Sequence, residues 1–124
     1  MISSRAGAVL AIFAIAIPAA AGAGTTKVES KITYRNSIAP PPNGYIHEGE
    51  VKSDLKKCER DRTVRLYGEG VDKPFGKDKT SADGEYRITL GQDGLVTDYY
   101  TRIRAVHKGS VTCKGAESKH KPLS

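Results

Sequence analysis

Hydrophobic side chains in this sequence recur at every second position in short runs, and each run is cut off by glycine, proline or an Asp-Gly pair. The stretch from Thr80 to Leu90 is the clearest case: Asp83-Gly84 makes a turn, then Tyr86, Ile88 and Leu90 alternate with Glu85, Arg87 and Thr89. Period two is the mark of a strand with one buried and one wet face. Gly84 supplies the positive φ that a tight turn needs. The remaining strands are expected to pack around this one.

The same alternation places Val28, Ser30, Ile32 and Tyr34 on one face of a first strand, and Tyr45, His47, Gly49 and Val51 on one face of a second. In Thr63 to Tyr67, Val64 and Leu66 read as inward, Arg65 and Tyr67 as outward. Residues 68–79 are rich in Gly, Asp and Lys and predict a poorly formed edge strand or long connection anchored by Pro74-Phe75. After the turn signal Gly91 to Gly94, Tyr99, Ile103, Ala105 and His107 alternate against Tyr100, Arg102, Arg104 and Val106, and Val111 to Lys114 reads as the last strand. Pro40-Pro41-Pro42, within residues 36–44, predicts a semi-rigid surface loop. Short strands at roughly 10-residue spacing, with no helical period among them, predict an all-β antiparallel sandwich.

The beginning of the chain obeys a different rule. Arg5, an apolar run from Ala6 to Ile17, Pro18 and the small-residue tract Ala19 to Gly24 form a secretory signal peptide, with cleavage expected after Ala21 or Ala23. The apolar run is too short for a stable transmembrane helix, and no membrane anchor is expected after cleavage. Removing residues 1–23 from the 124 leaves 101, enough for one modest core. The expected organisation is a signal peptide at 1–23, a sandwich at 24–118 and a basic tail at 119–124. Loss of Arg5 lowers the formal charge from +6 to +5. A basic exported chain suits acidic polymers without specifying one, and sparse aromatics with no Trp weaken any sugar- or base-stacking platform.

Two cysteines in an exported chain predict a Cys58–Cys113 disulfide. The pair is 55 positions apart, a loop worth about 4 kcal/mol in the chain-entropy model. It is expected to tie the segment before the Val64 strand to the final strand.

The order Gly49-x-Val51, Cys58-x3-Arg62-x-Val64-x-Leu66-Tyr67, Thr80-x2-Asp83-Gly84-x-Tyr86-x-Ile88, Tyr99-Tyr100 and Cys113 resembles the carboxypeptidase regulatory-like domain of small secreted bacterial proteins. This prealbumin-like sandwich is also related to collagen-adhesin B-type repeats, and the resemblance covers residues 28–118. It implies a seven-stranded antiparallel Greek-key sandwich and an extracellular life, and implies little about activity. The urate-catabolism branch of prealbumin-like enzymes ends in Tyr-Arg-Gly-Ser, which this chain lacks. The Lys-to-Asn or Lys-to-Asp isopeptide of adhesin repeats has candidate lysines in Lys27 and Lys31, but Asn36 and Asn43 both lie in the proline loop and the last strand holds no Asp or Asn. The disulfide is expected to replace that crosslink.

Chemistry-bearing motifs are sparse. His47, His107 and His120 lie far apart without a zinc signature. Asp78, Asp83 and Asp93 sit near turns without calcium-loop spacing, and no Gly-x-Ser-x-Gly elbow is present. No catalytic residue, metal or cofactor is therefore assigned. Arg65, Arg87, Arg102 and Arg104 all read as outward, and Lys114, Lys119, His120 and Lys121 follow. These form either an anion-binding surface or ordinary solvated faces interspersed with Glu69, Glu85 and Asp98. No aromatic interleaving supports specific nucleic-acid binding.

The expectation is a secreted, non-catalytic structural or interaction module of the cell envelope or extracellular space, with another extracellular protein as a possible partner. The alternative is a basic binding module for anionic wall polymer or carbohydrate, and the third reading is a small hydrolase. Arginines clustered on one face favour the second; a deep pocket joining His47 or His107 to a carboxylate favours the third.

Overall fold

The computed structural model describes residues 26–38, 44–91 and 96–123. The signal peptide, Pro40-Pro41-Pro42 and Gln92 to Gly94 lie outside the described residues. Those described are almost entirely β: Thr26–Val28 (β1), Ser30–Ile32 (β2), Arg35–Ile38 (β3), Tyr45–Ser53 (β4), Thr63–Gly68 (β5), Gly76–Lys79 (β6), Glu85–Leu90 (β7), Asp98–Ile103 (β8), Val106–Lys108 (β9), Val111–Cys113 (β10), Ala116–Glu117 (β11) and Lys121–Pro122 (β12). A 3-10 turn at Lys56–Cys58 interrupts them, and no α-helix occurs among the described residues.

β2 and β3 both pair with one edge of β4, and β7 pairs with the other. A second sheet runs β11–β8–β5–β6, with β12 also on β8. Ile32, Tyr34, Val51, Tyr86 and Ile88 from the first sheet meet Val64, Leu66, Tyr99 and Ile103 from the second in one buried core, so the two sheets pack in a sandwich-like arrangement. Every inward position expected from β7 is found there, Leu90 at its margin. Phe75 also packs at the margin, which is how the 68–79 connection is anchored before β6 begins.

The gap between β2 and β3 has a local cause. The Tyr86 hydroxyl donates to the Thr33 carbonyl at 2.6 Å, taking the acceptor that a continuous ladder would offer β4. The Glu50 amide donates to Thr33 Oγ1 instead, at 2.9 Å. Gly49 lies beside this junction, and a Cβ there would stand 2.1 Å from the Thr33 carbonyl oxygen. Only glycine admits so close a backbone approach.

At the turn before β7, Gly84 has φ +82° and donates to the Ser81 carbonyl. Ser81 Oγ accepts from the Glu85 amide, so a hydroxyl and a glycine together close the reversal. Thr80, just before it, donates to the Glu59 carbonyl at 2.6 Å and accepts from the Arg62 amide at 2.9 Å. On the outer edge of β7, the Arg87 amide donates to Asp78 Oδ2 of β6 at 2.8 Å.

A small third sheet, β1–β10–β9, carries the disulfide. Cys58 and Cys113 are bonded, with Cα atoms 5.4 Å apart, and both are fully buried against Val28, Val106 and Val111. The alternation expected through residue 107 therefore changes phase. β8 ends at Ile103, and Val106 turns toward the disulfide while Ala105 and His107 are exposed. Lys121–Pro122, within the segment expected to be a basic tail, pairs with Tyr99 and Asp98 of β8. Among the described residues no helix is long and apolar enough to cross a membrane.

Candidate anion-binding surface

Antiparallel pairing fixes which cations are neighbours. Arg65 of β5 stands in register with Lys77 of β6 on one side and Arg102 of β8 on the other, and Arg102 stands opposite Glu117 of β11. Neighbouring strands lie about 4.8 Å apart, so Lys77, Arg65 and Arg102 form one row across the outer face of the second sheet. Arg104 follows Arg102 at the next outward position and is exposed. Among the described residues, Arg65, Lys77 and Arg104 have no acid within 4.0 Å. The Arg102 guanidinium instead reaches Glu117 at 3.0 Å, which raises its pKa further.

Arg87, the fourth arginine singled out in the sequence, lies on the first sheet. There it shares Glu48 with Arg35, at 3.8 and 3.5 Å. These three line a cavity of about 350 Å³ with Glu50, Asp78 and Glu85, whose acids outnumber its bases.

Beside the cationic row lies a stack of rings invisible to a count of aromatics. Tyr67 and Tyr100 are cross-strand neighbours with centroids 5.6 Å apart and planes 17° from parallel. The His120 ring continues the stack at 4.0 Å from Tyr100, and the Arg102 guanidinium lies 4.9 Å from the Tyr67 centroid. Tyr67 is outward in phase, yet it is only 6% exposed because its ring is buried in this stack. His120 is held by Glu69 at 2.7 Å and Glu117 at 3.1 Å. Glu69 and then Glu117 raise the pKa of the imidazole, and His120 in turn lowers that of Glu117.

Arg62 is the residue that sequence reading missed. Sequence reading assigned it no role beyond the order that carries the resemblance, yet it is 2% exposed. Nη1 donates to the Cys58 carbonyl at 2.7 Å and to Ser30 Oγ at 3.2 Å; Nη2 donates to the carbonyls of Arg104 at 2.9 Å and Lys114 at 3.0 Å. One guanidinium thus ties β2, the 3-10 turn and the ends of β8 and β10 together. Desolvation lowers its pKa, and no acid lies within 4.0 Å of it among the described residues. Asp61, immediately before it, adopts φ +54°, a conformation aspartate tolerates better than most residues.

The histidines divide three ways. His47 is 1% exposed, with Nδ1 hydrogen-bonded to the Tyr34 hydroxyl at 2.7 Å. Burial drives its pKa down to about 4 and that of Tyr34 up to about 12. His107 is exposed and bonds Thr112 Oγ1 at 2.9 Å, while His120 belongs to the ring stack. Among the described residues neither His47 nor His107 bonds a carboxylate, the feature that would favour the hydrolase reading. Among the described residues, no three His, Cys, Asp or Glu side chains converge as metal ligands. No protein-family model, curated protein or solved structure matches this chain.

Proposed function

We propose that the protein is a secreted, non-catalytic binding module that attaches to an anionic polymer, such as an acidic wall polymer or carbohydrate, through the outer face of its second sheet. The observation that carries this reading is the shared row of Lys77, Arg65 and Arg102, followed by Arg104, with three of these four cations unpaired among the described residues. Like charges placed directly opposite each other on a sheet destabilise it, and an anionic partner relieves that repulsion. Arginine also recognises carboxylate and phosphate through a planar fork.

The prealbumin-like, carboxypeptidase regulatory-like architecture belongs to the same proposal. Taking β2 with β3 and β11 with β12 as interrupted single strands gives three strands facing four in Greek-key order, which supports the resemblance. Export through the signal sequence is supported by the disulfide, which persists in oxidising compartments.

The test is capture on envelope material from the producing cell, at low and at physiological ionic strength, with the wild type and an Arg65→Glu/Arg104→Glu variant. Arg102 is left intact because it is committed to Glu117 and Tyr67. Wild-type capture should weaken steeply as the screening length falls to about 8 Å, and the variant should lose it while staying folded. Salt-resistant capture of one protein points to a shaped interface. No capture returns the module to a plain structural role.

A further inference from the structure

Beside Arg65, the middle of the cationic row, and Arg104 lies a cleft of about 180 Å³, lined also by Asp61, Arg62 and Thr63. At roughly 30 Å³ per water, it has room for one compact oxyanion. We propose that this cleft is a discrete site for a single phosphoryl group, the point at which the basic face grips its polymer; the inference rests on the binding function proposed above.

Three observations support it. Arg65 and Arg104 enter the cleft without acid partners among the described residues, so both forks are available. Arg62 forms part of the wall as a buried cation whose acceptors are three carbonyls and one hydroxyl, none of them an acid. The one acid on the wall is Asp61. The wall thus carries three cations against one anion in a partly desolvated recess, where charge interactions gain strength.

Donor count selects phosphate over carboxylate. The two guanidinium forks of Arg65 and Arg104 and the Thr63 hydroxyl offer about five N–H and O–H groups. A carboxylate has about four lone-pair sites, whereas a phosphate monoester presents three strong acceptor oxygens and nearly two charges at neutral pH. Arginine outperforms lysine at such sites because its fork matches two oxygens at once.

The experiment is an amide NMR titration of the mature domain with inorganic phosphate, methyl phosphate and acetate, each against sodium chloride at equal ionic strength. Both phosphates should give saturable shifts at residues 61–65 and 104–106, with acetate at least tenfold weaker. Arg65→Gln and Arg104→Gln should each weaken phosphate at least tenfold while shifts elsewhere show an intact fold. Lys52→Gln, on β4 of the first sheet, should leave it unchanged. Phosphate shifts no larger than those from chloride, acetate equal to phosphate, or Lys52→Gln as damaging as Arg65→Gln would each overturn the site. Polymer capture that persists when the cleft fails this test leaves the binding face standing without it; loss of both removes the proposed function as well.

Discussion

The Tyr34 hydroxyl lies 2.7 Å from His47 Nδ1, and the two rings stack within 6° of parallel, 5.8 Å apart. Asn36 Nδ2 donates to the same hydroxyl and to the Pro122 carbonyl, both at 3.0 Å, so the pair connects the core to β12. Tyr99 closes over His47 with centroids 5.1 Å apart. An imidazole in this setting is neutral.

Acid should therefore unfold the domain through His47. Its folded pKa of about 4 lies below the ordinary 6.5, so protons bind the unfolded chain more tightly. Stability should be level above pH 6.5, fall as pH drops toward 4, and lose about 3 kcal/mol over that window. Urea midpoints at pH 7.5, 5.5 and 4.5 measure this, and His47→Phe should flatten the slope. An unchanged slope in that variant would place the acid-sensitive group elsewhere.

The Arg62 guanidinium should matter more than any surface ion pair. Arg62→Met removes the donors to three carbonyls and Ser30 Oγ, and buried groups left unsatisfied cost about 1–3 kcal/mol each. A loss of at least 3 kcal/mol is expected in chemical denaturation. Arg35→Met, whose ion pair with Glu48 is exposed, should change stability by less than about 1 kcal/mol. Equal effects would show that the buried guanidinium is not the clasp described.

Cys58→Ser opens the bridge to Cys113 and should destabilise the domain by about 2–5 kcal/mol. Intact mass of the wild type should be two hydrogens below the reduced chain. An unaltered melting temperature in the variant would mean that the third sheet is held without the bond.

The His120 imidazole should titrate above the ordinary histidine range, because Glu69 and Glu117 favour its charged form. Histidine ring resonances followed against pH give the midpoint. Glu69→Gln and Glu117→Gln should each lower it, Glu69→Gln more, since its bond is the shorter. A midpoint that ignores both substitutions would mean that the ring leaves the stack in solution.

Strand phase was legible wherever one strand stayed within one sheet: Tyr86, Ile88, Val64, Leu66 and Ile32 all point as alternation requires. It failed at Ala105 to His107, where the chain leaves the second sheet for the third and Val106 takes the inward position. Arg65, Arg102 and Arg104 were legible as outward, but their separation from Arg87 depends on which sheet each strand joins. Arg62 was illegible for a deeper reason. Two of its acceptors are backbone carbonyls 42 and 52 positions away, and carbonyls carry no residue-specific signal.

The Asp78 carboxylate on the Arg87 amide has a consequence for crowded solutions. An exposed strand border recruits other chains because its amides recur at regular intervals and any extended peptide can match them. Here one of those amides is already occupied by the side chain of Asp78 on β6. A second copy approaching along β7 meets a border that Asp78 of β6 already occupies, so concentration alone should not zip these molecules into fibres from this side.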